Sequence, residues 1–232
     1  MSIIRLLHGT DHIIEIPDIN AGNPHNDYGR GFYCTKSEEM ACEWACKKNT
    51  DGFVNIYDFD DCDLKVLNLL DGRHTVMNWI ALLLRYRTFR LDTELSIDSR
   101  DYIIANYSID LSEYDVVTGY RADDSYFQYA EAFVSNGLSL SGLNKALHLG
   151  KLCEQTAVIS GKGFERLKFT GAFPVDKRIY YPKFTDRDTR AREAYRKEIK
   201  NSGYYRNDIY MLDILREEMK GDDPRIQRIL SE

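Results

Sequence analysis

Residues 28–35 read Tyr28-Gly29-Arg30-Gly31-Phe32-Tyr33-Cys34-Thr35. Two glycines bracket an arginine and lead into aromatic and β-branched residues, a turn that delivers the chain into a strand. Upstream, the stretch Asp18 to Asp27 is rich in Asn, Asp, Gly and Pro and reads as loop. Before it, Ile3, Ile4, Leu6 and Leu7 form a short apolar run ending at His8-Gly9-Thr10, a buried strand whose last residues emerge at an edge. Downstream, Ser37 is placed to cap a helix. Glu38 and Glu39 suit its first turn, Lys47 and Lys48 its last, and Met40, Trp44 and the intervening alanines supply one apolar face. Phe53 to Phe59 is the next strand.

Beyond it, Val76, Ile80, Leu83 and Leu84 recur at helical spacing within His74 to Phe89, and Tyr114 to Tyr120 is a β-branched strand. Tyr126, Ala130, Phe133 and Val134 stripe one helix, Leu143 to Leu149 fits a short second one between Ser141 and Gly150, and Thr156 to Ile159 returns to strand. From Lys183 on, 12 Lys or Arg and 11 Asp or Glu fall in 50 residues, against 45 charged residues in the preceding 182. This tail reads as three helices: Asp186 to Asn201 ended by Gly203, Asn207 to Lys220 with Ile209, Leu212, Leu215 and Met219 inward, and one starting at Asp223-Pro224. It is either a solvated helical appendage or a partner-binding arm.

The 232 residues hold 43% hydrophobic and 29% charged side chains, enough for one core with elaborations and against disorder. The longest apolar run, Trp79 to Leu84, is far short of the roughly 20 residues of a membrane span, and the N-terminus lacks a secretory pattern, so neither membrane nor export is expected. Five cysteines without a Cys-x-x-Cys pair predict reduced thiols and a cytoplasmic location. No metal site is expected: Cys42 and Cys46 lie one turn apart, but no histidine follows at ligand spacing. A net charge of −6 removes the global basic field that drives non-specific nucleic-acid binding.

Three pieces could carry chemistry. His8 beside Gly9 at a strand end can donate to a ligand oxygen while the glycine lets a ligand approach the backbone. Tyr33 and Trp44, on adjacent elements, could sandwich a flat ring, although both are also ordinary core fillers. The order strand-His8-Gly9, then Gly29-x-Gly31-x-Tyr33, then Trp44 on the next helix is similar to the ADP-ribosyltransferase fold of the poly(ADP-ribose) polymerase and diphtheria-toxin branch. More closely, residues 28–35, the run Gly119-Tyr120-Arg121-Ala122-Asp123-Asp124 and the run from Leu149 to Gln155 resemble a bacterial family grouped with those transferases, number 3990 among the domains of unknown function. The resemblance spans about residues 3 to 170 and leaves the charged tail uncovered.

The resemblance implies that Gly9 holds the nicotinamide carboxamide through its backbone, with Thr10 beside it, that His8 contacts the adenosine ribose, and that Tyr33 and Trp44 stack on the nicotinamide. Stacking suits a ring that is cationic in the substrate. Arg30, between Gly29 and Gly31, would approach the pyrophosphate or else simply face solvent, and Arg121 would join the same nucleotide site. Where the better-known pattern has a catalytic glutamate opening a late strand, this chain has Glu154-Gln155-Thr156-Ala157-Val158. Alternation along a strand sends Glu154 and Gln155 to opposite faces unless a bulge intervenes. A carboxylate there would stabilise an oxocarbenium-like charge as nicotinamide leaves, whereas an amide only positions the ribose. Asp123 and Asp124 are alternative acids, or else the cap of the helix starting near Ser125.

The resulting expectation is an α+β chain with an ADP-ribosyltransferase-like domain over residues 1–182, split sheets around an NAD cleft with inserted helices, and a C-terminal helical extension over 183–232. Gly-x-Gly-x-x-Gly is missing, so NAD would be a consumed substrate and not a hydride carrier. The resemblance implies ADP-ribosyl transfer to a macromolecular acceptor, protein being favoured slightly over nucleic acid, in a bacterial toxin or effector with a cognate antitoxin or regulator. The alternatives are an NAD glycohydrolase and an inactive module that binds NAD or ADP-ribose.

Overall fold

Leu6 and Leu7 stand side by side yet feed two separate clusters, and burial on both faces of their strand explains why two consecutive positions are apolar. That strand is β1 (Ile3–Thr10). After it come β2 (Phe32–Cys34), α1 (Glu38–Ala45), β3 (Gly52–Asp60), β4 (Val66–Asn68), α2 (Val76–Tyr86), α3 (Glu94–Tyr107) and β5 (Val116–Tyr120). The rest is α4 (Asp124–Val134), α5 (Leu140–Leu149), β6 (Glu154–Val158), α6 (Gly161–Phe164), β7 (Leu167–Val175), α7 (Lys177–Asn201), α8 (Met211–Arg216) and α9 (Pro224–Ser231). This is a computed structural model, and it describes residues 3–122, 124–149, 154–201 and 208–231. The fold is mixed α+β, with two sheets and several helices. Among the described residues no helix is long and apolar enough to cross a membrane.

Two compact units emerge, the first made of Met1–Asp71, Leu111–Arg121 and Cys153–Arg187. It holds both sheets. One runs β1-β3-β7, antiparallel throughout; the other runs β2-β6-β5-β4, with only the β4–β5 pair parallel. Leu6, Tyr57 and Phe59 from the first sheet meet Phe32, Val116 and Val158 from the second in one core, where each fully buried large side chain contributes about 1.5–3 kcal/mol. Among the described residues one backbone pair links the sheets: Leu7 N–H donates to Thr35 O and Thr35 N–H to Leu7 O, each at 2.9 Å.

The other face of the first sheet carries α1. Ser37 Oγ accepts from Met40 N–H at 3.3 Å, and the two glutamates follow in the first turn, as read from the sequence. The helix stops at Ala45, so Lys47 and Lys48 lie beyond it, in a turn closed by a Lys47–Thr50 pair, and Lys47 reaches Asp11 at 2.9 Å. Two glycines let α1 settle against the sheet: a Cβ at Gly9 would lie 1.9 Å from Ala41 O, and one at Gly52 would lie 2.1 Å from Ala45 O.

The second unit is Gly72–Asp110, Ala122–Leu152 and Asp188–Glu232. Asn78 Oδ1 caps α2 by accepting Thr75 N–H at 2.8 Å, and its Nδ2 donates to Tyr107 O at the end of α3 at 2.9 Å. Met77, Ile80 and Leu83 are fully buried. Tyr102 and Tyr107 both donate to Met219 O, and Asn144 donates to Ile229 O. The end of the chain therefore supplies core rather than an outer sleeve: Ile209, Met211, Ile214, Met219, Ile226 and Ile229 are buried. Met211 and Ile214 take the inward places that spacing had offered to Leu212 and Leu215, which are half-buried. Position 182, where the sequence reading ends its first domain, falls inside α7, which starts nine residues earlier than the predicted helix at Asp186. Gly150, Cys153, Gly203 and Asn207 lie outside the described residues.

Candidate functional site

Two concavities of the first unit are lined by candidate residues. In the second sheet β6 lies between β2 and β5, and its side chains alternate. Glu154 and Thr156 share one face and line a recess of about 210 Å³ with Thr35, Lys36, Ser37 and Thr118. Glu154 is exposed at its rim. Gln155 goes the other way: 3% exposed, it donates to Asp27 Oδ2 at 2.7 Å and to Tyr120 O at 3.2 Å. No bulge interrupts the register of β6 against β5 or β2, so the two side chains diverge as simple alternation requires. The open carboxylate is Glu154, and the amide is committed to internal partners.

Gln155 works with Tyr28. Tyr28 Oη donates to the same Tyr120 carbonyl at 2.7 Å, and a Cβ at Gly119 would lie 2.3 Å from that hydroxyl, so the ring occupies space that only glycine leaves. Asp27, Tyr28 and Gln155 thus tie the glycine-rich turn to β5. Within that turn, Tyr33 Oη accepts from Tyr28 N–H at 2.9 Å and donates to Gly29 O at 2.7 Å, and Gly29 needs its glycine for φ +77°. A Cβ at Gly31 would meet Val158 O at 2.7 Å. Exposed Arg30 donates to Asn20 O at 3.0 Å.

On the α1 side, Arg121 follows Tyr120, the cross-strand partner of Glu154, and its guanidinium lies 4.9 Å from the Trp44 ring. Ring contacts therefore pair Trp44 with Arg121, and Tyr33 with Tyr28 at 6.4 Å. The Trp44 Nε1 is buried with no acceptor among the described residues. Gly9 belongs to the same side. Leu7 spends its N–H and C=O on Thr35, so the two-residue period of the ladder turns the N–H and C=O of Gly9 to that edge as well, away from β3.

A second cleft, about 430 Å³, opens over His8 and is walled by His12, Ile14, Pro17, Gly31, Phe32 and Tyr33 among others. The His8 ring stacks on Phe32, centroids 4.3 Å apart, and its Nδ1 lies 2.7 Å from Tyr33 O. A carbonyl only accepts, so Nδ1 carries the proton and Nε2 of the neutral ring is an acceptor. Burial lowers the His8 pKa and favours this neutral form. Thr10, at the end of β1, approaches Asp11 Oδ1 at 3.4 Å.

Asp123 lies outside the described residues; Asp124 opens α4 in the second unit, and its side chain is likewise undescribed. Sequence reasoning overlooked Lys36 and Thr118 at the recess, and saw Ser37 as a cap alone. It also missed Asn55, although a lone amide within Phe53-Val54-Asn55-Ile56-Tyr57 is a visible break in an apolar strand. Cys34, Cys42 and Cys46 are buried free thiols with pKa values raised by burial, which keeps them protonated and unreactive. Residues 4–169 match the family described as "Protein of unknown function (DUF3990)". No curated protein matches the chain, and no solved structure does.

Proposed function

The chain belongs to this family of unknown function, DUF3990, and we propose that it is an NAD-dependent ADP-ribosyltransferase whose reaction centre is the Glu154 recess. The observation that carries the reading is the exposed Glu154 carboxylate on a recess rimmed by Thr35, Lys36 and Ser37, in the same unit as the outward-turned peptide edge of Gly9. A carboxamide needs one donor and one acceptor a peptide apart, and Gly9 offers both. A positively charged pyridinium needs an aromatic face, and Trp44, already in contact with one cation, has the electron-rich ring for it.

In this reading the bond between the ribose C1′ and the pyridinium nitrogen breaks, and its electron pair leaves with neutral nicotinamide. The ribose is left as an oxocarbenium-like cation, which Glu154 stabilises from the recess before an acceptor nucleophile bonds to C1′ and releases a proton. Glu154, the carboxylate of the recess, serves as electrostatic partner and as base for that proton. The reading sets its reaction centre on β6, which lies inside the second of the two sheets of this mixed α+β fold. The acceptor is a macromolecule, a protein in preference to a nucleic acid on the evidence of the acidic net charge. Incubation with NAD labelled in the adenylate half tests this. Nicotinamide release with label transferred to a macromolecule supports transfer, release without label indicates hydrolysis, and binding without release indicates an inactive module.

A further inference from the structure

Asn55 is fully buried in the middle of β3, where its neighbours Val54 and Tyr57 are apolar or aromatic. It is the register partner of His8. A buried amide has four hydrogen-bonding positions and is costly unless they are used. Asn55 uses three of them on two nearby segments: Oδ1 accepts Ile14 N–H at 2.9 Å, and Nδ2 donates to His12 O at 3.1 Å and to His8 O at 3.4 Å. These partners fix the amide's orientation, because a flipped side chain would set its donor against an N–H and its acceptor against two carbonyls.

The pattern is that of a missing strand. A residue bridging to a parallel neighbour donates to the carbonyl before its partner and accepts from the N–H after it, and the Asn55 side chain does this around Ile13. Tyr57 completes the attachment by donating its hydroxyl to Ile14 O. Residues 12–14 belong to the long segment between β1 and β2; Ile14 packs against the core of the two sheets, while Ile13 is 48% exposed and nearby Ile16 is 88% exposed, so backbone bonds to Asn55 and Tyr57 carry much of the attachment. Yet His12, Ile14 and Ile16 wall the cleft that opens over His8.

We propose that Asn55 is the positioning residue of the His8 cleft, its amide standing in for a neighbouring strand so that the wall formed by residues 12–16 is in place before a dinucleotide enters. The inference rests on the reading of NAD as substrate, and it adds to that reading that the far half of the substrate is held by a preformed wall. Preorganisation of this kind acts on binding and leaves the bond-breaking groups at Glu154 untouched.

Two measurements on Asn55→Ala and on the milder Tyr57→Phe test it: amide exchange at Ile14, and steady-state release of nicotinamide from NAD. Loss of the Asn55 bonds should raise the Ile14 exchange rate by about tenfold, the scale of one buried hydrogen bond, and raise KM for NAD about tenfold while kcat stays within about twofold. Tyr57→Phe should move both in the same direction by less. Faster exchange with an unchanged KM would overturn the proposal, since the wall would then be loosened without consequence, and so would unchanged exchange. If Asn55→Ala does not fold, Tyr57→Phe decides by the same two criteria. A wild-type protein that neither binds nor consumes NAD refutes the substrate reading instead, and the exchange arm still determines whether Asn55 holds the segment.

Discussion

Replacing Gly9 by alanine puts a methyl group where α1 already sits. The new Cβ would lie 1.9 Å from Ala41 O and 2.7 Å from Ala45 N, both backbone atoms that cannot rotate away. Ordinary contact begins near 3.4 Å, so α1 must withdraw by about 1.5 Å at Ala41. The withdrawal opens the packing of Leu7, Ala41, Ala45 and Val54, each no more than 3% exposed. Overpacking of this kind costs about 1–3 kcal/mol, and the upper end applies where backbone meets backbone. Gly161→Ala is the control, because nothing lies within 4 Å of its added Cβ; it should be neutral or stabilising by about 0.5 kcal/mol. The chain has two tryptophans, and Trp44 is the one in the first unit, so urea titration followed by its fluorescence in a Trp79→Phe background reports on that unit. Equal midpoints for Gly9→Ala and Gly161→Ala would refute the view that Gly9 is a glycine because a helix rests on it.

Gln155→Ala removes two buried hydrogen bonds and leaves Asp27 Oδ2 without that donor, so urea denaturation should show a loss of about 2–3 kcal/mol, well beyond any effect of Glu154→Ala at its exposed rim. His8 has its pKa lowered by burial. The unfolded chain therefore binds the proton more readily, and wild-type stability should fall as pH drops through 6.5, a slope that His8→Gln lacks when the two proteins are titrated with urea between pH 8 and pH 5. Truncation after Pro182 deletes six buried apolar residues of the second unit and takes Arg187 from Glu43, which is 6% exposed and pairs with it at 2.8 Å; the product should be insoluble or lack a cooperative transition by calorimetry.

What sequence could reveal followed from local signals. β1, β3, β5 and β6 are runs whose apolar content is obvious, and α1 announces itself through Ser37 and two glutamates. Other elements depend on partners far away in the chain. β7 is an edge strand broken by Gly171 and carrying Pro174, and what makes it a strand is pairing with β3, more than 100 residues earlier. Three-residue β4 exists by pairing with β5. α3 buries Ser96 and Ser99 along with Ile103 and Tyr107, so half of its inward positions are polar and its stripe cannot be seen in the sequence. At the candidate site, His8, Tyr33 and Trp44 could be singled out from their order along the chain and Arg121 through the family resemblance, but their neighbours could not. Arg121 on Trp44 joins residues far apart in the chain, and Tyr33 clasps Gly29 through the conformation of the turn itself. The choice between Glu154 and Gln155 needed the faces of β6, which follow from where Asp27 and Tyr120 stand.

The central claim is that Glu154 does the chemistry, and Glu154→Gln tests it with the least disturbance, since an exposed carboxylate becomes an amide of the same shape. Nicotinamide release from NAD by this variant should fall about 100- to 1000-fold, the usual effect of removing one group that stabilises charge in the transition state, while calorimetric affinity for NAD stays within about threefold. Release at the wild-type rate would contradict the account and remove the recess at β6 from the mechanism.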